Sequence, residues 1–202
     1  EAVRETEGQI LCQDGEAVEA YYFSTSAGVT STDEIWGSDE AAPYLRSVPC
    51  KFDEEEPWSS WIVELPWKML EDRIREKGEG TVLRSVTVTR RSESGAATAL
   101  EAVSDKDSCI IENEYEIRKF LAPVNCMITE KDGTETAGGS LLPSAYFELE
   151  RTQNGNLQVR GKGYGHGVGM SQTGADKMAE QGYDYREILD YFFRNITVEN
   201  LG

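Results

Sequence analysis

The stretch Gly161-Lys162-Gly163-Tyr164-Gly165-His166-Gly167-Val168-Gly169-Met170-Ser171-Gln172 organises the reading of this chain. Upstream, residues 146–151 and 157–160 flank Asn154-Gly155, a turn pair that signals a β-hairpin. Downstream, Ser171 opens a helical pattern running to about residue 181. A second helix is predicted over 185–193 and a terminal strand over 196–199. The stretch is therefore a strand-to-loop-to-helix transition. Glycine at every second position removes side chains from a backbone that must lie close to something, at a cost in chain entropy. The same stretch holds the only histidine of the protein, and the pattern predicts an imidazole held in the open. A glycine-rich turn capped by a histidine is the structural alternative. Glycines alone would make that turn without the Tyr, His, Ser and Gln.

Outward from this stretch the chain reads mainly as β structure. Residues 9–13 and 16–23 form a hairpin about Asp14-Gly15, and residues 24–33 form a Ser-, Thr- and Gly-rich loop. A short strand is expected over 44–48 and an acidic surface loop over 51–60. Residues 61–65 alternate as a strand. Pro66 then starts a helix whose Trp67, Leu70 and Ile74 share a face, and Gly78 ends it. Strands over 81–90 and 97–103 are joined by a turn at Ser94-Gly95. Asn113 with Glu116 three residues on has capping-box spacing for a helix to about residue 121. Residues 131–140 read as loop. The mixture predicts an α+β fold, a largely antiparallel β-sheet with a few packed helices, as one domain over residues 1–202.

Hydrophobic residues make up 39% and charged residues 28% of the 202, ordinary for a globular protein with a normal core. The net charge of −17 is not ordinary, and it argues against nucleic acid or an anionic membrane as the main partner. No apolar run has the length of a membrane span. None of the four cysteines pairs as C-x-x-C, which excludes thioredoxin-like and zinc-ribbon readings. Isolated thiols are the simpler reading, and disulfides stay open.

His166 is the first chemical candidate, because an imidazole titrates near pH ~6.5 and can donate, accept or relay a proton. Tyr164 can stack on a sugar face or hydrogen-bond through its hydroxyl; the alternative is a half-buried packing tyrosine. Lys162 can meet an anion or be a solvated strand-end lysine. Ser171 is a natural N-cap, and Gln172 beside it can bind hydroxyls or amide carbonyls. Ser24 and Thr25 carry hydroxyls suited to carbohydrate, or to a polar turn. Trp36 is a stacking platform or a core residue. Asp and Glu total 37, so abundance identifies no catalytic acid, and Glu34 beside Trp36 reads as a surface acid.

Residues 161–193, GKGYGHGVGMSQTGADKMAEQGYDYREILDYFF, resemble the signature of the stage II sporulation protein D family, which includes amidase-enhancer proteins of bacterial cell walls. AVRETEGQIL, AYYFSTSAGVTSTDEIWG with PYLRSV, NEYEIRKFL and LLPSAYFELE resemble further family segments in the right order, so the resemblance covers the chain from about Glu1. It implies a lytic transglycosylase acting in sporulation or engulfment. Such an enzyme cleaves peptidoglycan glycan strands, already stripped of stem peptides, between N-acetylmuramic acid and N-acetylglucosamine. One carboxyl group protonates the glycosidic oxygen and then serves as base while the sugar's 6-hydroxyl attacks the anomeric carbon.

The family's glutamate for this step lies in a Glu-Met-Pro element that this sequence lacks. The chain is therefore expected to be a C-terminal portion. In it His166, Tyr164 and Gln172 orient sugar and acid, and Lys162, Ser171, Ser24, Thr25 and Trp36 bind substrate, Lys162 at a lactyl carboxylate. Some relatives hold zinc through a histidine and a Cys-x5-Cys pair that is also missing here, so neither metal nor cofactor is expected. Phe23 and Ala27 replace the histidine and glycine frequent in the family's Ser-Thr loop, which weakens a direct role for that loop. The resemblance also implies an extracytoplasmic protein with an N-terminal anchor or export signal, absent from this sequence. The rival reading is a non-catalytic peptidoglycan-binding module that enhances a cell-wall amidase, with that amidase as partner. A zinc peptidase would need more ligands than a single histidine provides.

Overall fold

A computed structural model describes residues 2–201. The fold is α+β and mostly β, as the alternating runs predict. Its largest sheet is antiparallel and five-stranded, in the order Phe147–Arg151, Leu157–Gly161, Trp61–Leu65, Met127–Glu130, Glu135–Ala137. Alternation sets its faces. Val63, Val159 and Ile128 are buried, while Glu64, Arg160 and Met127 on the other face are exposed. Helix Trp67–Glu76 begins after Pro66 and seats Leu70 and Ile74 in the same core. A meander of Leu83–Arg91, Ala97–Ser104 and Ser108–Glu112 closes it.

A second apolar cluster joins the loop segment through Ile35, Leu45 and Val48 to the C-terminal helices Gln172–Glu180 and Tyr185–Phe192. Strand Gln9–Gln13 lies between Glu16–Ala17 and Thr197–Asn200, so the two ends of the described chain share a sheet. No described helix is long and apolar enough to cross a membrane.

Some local expectations are corrected. The 16–23 run divides: Glu16–Ala17 completes the hairpin, whereas Tyr22–Phe23 leaves it to pair in parallel with Met170–Ser171. Residues 44–48 form no strand and make only an isolated bridge at Leu45, because their apolar side chains fill the second cluster. Part of the 131–140 loop is the return strand Glu135–Ala137. Strands Ser108–Glu112 and Met127–Glu130 lie where the sequence pattern predicts none. All four cysteines are free, and burial pushes the Cys50 thiol up to about 12.

Helix Glu114–Phe120 ties this framework to the glycine stretch. Asn113 caps it, accepting from Glu116 N at 3.0 Å. Glu114, 1% exposed, pairs with Arg118 at 2.6 Å, and Arg118 also donates to the carbonyls of Leu142 and Pro143. Removing one partner of a buried pair leaves an uncompensated charge. Glu114→Ala is therefore expected to cost about 3–5 kcal/mol, read as a lowered midpoint in urea unfolding; an unchanged midpoint would mean the pair carries no stability.

Candidate functional site

The glycine stretch lies flush on the segment 21–31. Thr25 and Tyr164 exchange backbone hydrogen bonds of 3.1 and 2.8 Å, Ser31 N donates to Gly167 O, and Met170 N donates to Tyr21 O. Two glycines show why side chains are excluded. A Cβ on Gly161 would stand 2.0 Å from the Trp61 ring, and one on Gly169, at φ +78°, 2.2 Å from Tyr21 O. The stretch is thus a strap pulled tight over the protein, and only some of its side chains reach solvent.

His166 is not held in the open. It is half-buried, with the Trp36 ring 5.2 Å and the Phe23 ring 5.8 Å away, both edge-on. Val168 N donates to its Nδ1 at 3.1 Å, which places the proton of the neutral ring on Nε2. Burial holds its pKa below the usual 6.5. The charge of Glu114 and a hydrogen bond to the Tyr22 backbone oppose that shift, while Arg118 adds to it. A neutral imidazole anchored to backbone on both sides is a positioning group and a poor acid.

The residue that sequence reading missed is Asp53. It lies in the acidic run 53–56, expected to be surface loop, yet it is 0% exposed. Its carboxylate accepts from Ser26 N (2.8 Å), Ser26 Oγ (2.7 Å), Ser171 Oγ (2.6 Å) and Thr173 Oγ1 (3.3 Å). The signal available was the set of hydroxyls at Ser26, Ser171 and Thr173; nothing in the sequence distinguishes Asp53 from Glu54 or Glu55.

Of the predicted substrate ligands, Ser171 and Thr25 are therefore used inside the protein. Ser171 is fully buried, caps its helix at Gly174 N and holds Asp53; Thr25 is 2% exposed. Ser24 is half-buried and its carbonyl accepts from Thr173. Trp36 is half-buried against His166 and Tyr21. Three predicted residues do face solvent: Lys162, Tyr164 (43% exposed) and Gln172 at the first position of its helix. Tyr164 sets its ring edge-on to Trp58, centroids 4.6 Å apart. Among the described residues His166, Tyr164 and Gln172 make no hydrogen bond or ring contact with one another. Among the described residues no group of three or more His, Cys, Asp or Glu side chains is placed to hold a metal ion.

A family model described as a domain of unknown function (DUF8618) matches residues 46–169. The chain belongs to that family. Similarity to curated proteins runs almost end to end. Stage II sporulation protein D of Bacillus amyloliquefaciens is 30% identical over 197 residues, covering 98% of this chain and 49% of that protein. The protein of the same name in Bacillus subtilis (strain 168) is 29% identical over 199 residues, 98% of this chain and 50% of its own length. The amidase enhancer of Bacillus subtilis (strain 168) is 22% identical over 230 residues, 98% of this chain and 32% of its own length. The chain spans about half the length of the two sporulation proteins and about a third of the enhancer.

Asp53→Ala would orphan several buried donors, each worth about 1–3 kcal/mol. A loss of about 3 kcal/mol or more is expected in denaturant unfolding, with Asp53→Asn in between; a loss under about 1 kcal/mol would show that the cluster does not anchor the strap. The depressed pKa of His166 makes a separate prediction. Its contribution is complete above the unfolded value of about 6.5 and declines as pH falls below it, because the unfolded chain takes up the proton first. Unfolding midpoints between pH 8 and 5.5 should fall below about 6.5 in the parent and stay flatter in His166→Gln. Parallel curves would contradict this.

Proposed function

We propose that this chain forms the glycan-gripping part of a cell-wall lytic transglycosylase that cleaves peptidoglycan strands between N-acetylmuramic acid and N-acetylglucosamine, outside the cytoplasm. One observation carries the reading. The strap buries its backbone and glycines while presenting Lys162 and Tyr164 outward, Tyr164 beside Trp58. A rigid backbone carrying an aromatic face and polar tips is what binds a sugar strand without ordering cost at the moment of binding. Gln172 adds an amide at a fixed helix end. His166 acts as a positioning residue, holding the Tyr22 and Val168 backbones that shape the strap.

Within the chain, the carboxylate that His166 senses is Glu114, which is buried and committed to Arg118. Glu114 is therefore not the acid that protonates the glycosidic oxygen, and that role is assigned here to no residue of this chain, which spans about half the length of the sporulation proteins. The names of the relatives support a role in the cell wall, and the sporulation proteins favour sporulation as its setting. The similarity to an amidase enhancer supports a second reading, in which the same surface binds peptidoglycan and stimulates an amidase partner.

The test uses the complete protein and purified glycan strands. Release of anhydro-muramic ends is expected, with His166→Ala lowering it about ten- to a hundredfold, roughly 1.4–3 kcal/mol of transition-state stabilisation. Because the ring is packed, activity is normalised to the folded fraction, and Tyr164→Ala, which is exposed, is measured beside it. Full activity per folded molecule in both variants would sink the site. Absence of anhydro ends together with a faster added amidase would select the enhancer reading.

A further inference from the structure

The sheet that joins the two ends of the described chain has Thr197–Asn200 as one of its outer strands. Leu201 N donates to Gly8 O at 2.7 Å, and this bond sets the phase of the ladder. In an antiparallel pair every second couple exchanges hydrogen bonds, so Ile10 with Glu199 and Cys12 with Thr197 do so too. Val198 and Asn200 therefore turn their N–H and C=O groups away from the sheet. Among the described residues nothing hydrogen-bonds to them there.

An open edge is a template for another strand, and proteins blunt it with bulges, prolines and basic side chains. The outer strand Leu83–Arg91 is blunted in this way, by register shifts and by the exposed Arg84 and Arg90. Thr197–Asn200 is short but has no register shift, no proline and no basic residue. It also has a groove of about 330 Å³ alongside, between the strand and helix Tyr185–Phe192. Leu189, Ile196 and Val198 form the apolar wall of this groove, and Arg186, Glu187 and Asp190 its rim.

Two of the three rim charges are already engaged. Glu187 accepts from Asp184 N at 2.8 Å in the capping box, and Arg186 Nε donates to Tyr185 OH at 2.9 Å with its guanidinium over that ring. Asp190 is exposed, and its carboxylate has no hydrogen bond or ion pair among the described residues; only its backbone carbonyl is used, by Arg46. The groove thus offers a row of main-chain donors and acceptors, an apolar wall and one unanswered negative charge. In strand addition the main chain supplies affinity and the alternate side chains supply specificity. A residue set opposite Val198 points its side chain the same way as Val198, toward the groove. The complement is an extended segment with an apolar residue there and a lysine or arginine within reach of Asp190. A second copy of this chain fits poorly, since it brings a further net charge of −17.

We infer that the outer edge of Thr197–Asn200 and the groove beside it are a docking site where an extended, basic segment of a partner protein adds a strand to the sheet. Val198 and Asn200 supply the main-chain bonds, Leu189 and Ile196 the apolar contact, and Asp190 the preference for a cation. The site shares no residue with the glycine strap and stands whether or not the strap binds glycan.

The experiment follows the backbone amides of the 202-residue chain by heteronuclear NMR at low salt. Two blocked peptides that alternate valine with threonine are titrated in, one ending in lysines and the other in glutamates. The lysine peptide should slow hydrogen exchange at the Val198 and Asn200 amides and bind about three- to fivefold tighter than the glutamate peptide. Val198→Pro removes an outward donor that the ladder does not use and should weaken both peptides about tenfold. Asp190→Asn should erase the preference for lysine and leave the glutamate peptide bound at least as well. Asp190 is exposed, so this variant keeps the test open even where the proline disturbs the strand. Unchanged exchange at Val198 and Asn200 at millimolar peptide, or binding unmoved by Val198→Pro in a folded chain, overturns strand addition. Equal binding of the two peptides by the parent, or a lysine preference that survives Asp190→Asn, overturns the basic partner. A doubled mass in sedimentation, with Val198 and Asn200 already protected before any peptide is added, puts a second copy on the edge and overturns the partner assignment.

Discussion

The carboxylate of Asp53 is the constraint on which the strap depends. Burying a carboxylate is costly unless its oxygens are filled with donors. Here the donors come from positions 27 residues before it and 118 and 120 residues after it. No one of these segments can shift without orphaning the others. Ser26 belongs to the segment the strap lies on, and Ser171 and Thr173 to its far end, so one buried acid clamps the strap to its bed at the point where it turns into a helix.

The middle of the strap is held from the first core. Arg118, charged and paired with Glu114, donates to the carbonyls of Leu142 and Pro143, and Pro143 O accepts in turn from Gly165 N. Each anchor is a buried ion or ion-like group with its hydrogen bonds satisfied. Such groups contribute modestly to net stability and strongly to the uniqueness of the arrangement around them, because a displaced partner leaves a bare charge. The strap is therefore stiff before any ligand arrives. That stiffness fixes the backbone positions of Lys162, Tyr164 and Gln172, so that under the proposed reading little ordering would be needed on binding.

His166 takes its meaning from the same packing. The ring fills the space between Trp36 and Phe23 and hydrogen-bonds backbone on either side, so it shapes the strap and stays neutral. Phe23, buried, packs edge-on against His166 with centroids 5.8 Å apart. What the strap and its flanks leave on the surface is the ring of Tyr164 beside Trp58, the amide of Gln172 and the ammonium of Lys162.

Local pattern was enough to read much of this. Alternation in Trp61–Leu65 and Leu157–Gly161, the turns at Asn154-Gly155 and Ser94-Gly95, and the caps at Asn113 and Ser171 each depend on a few neighbouring residues, and each is present. The importance of residues 161–172 was legible because glycine in alternate positions has a specific steric cause. What the sequence left undetermined depends on contacts between distant segments. Tyr22–Phe23 pairs with Met170–Ser171 across about three quarters of the chain, and the burial of Asp53 beside acids that stay in solvent is decided by where three hydroxyls converge. The same holds for the hidden Ser171 and Thr25 and for the half-buried ring of His166. Burial and charge pairing are sums over neighbours in space, and only the tertiary structure supplies those neighbours.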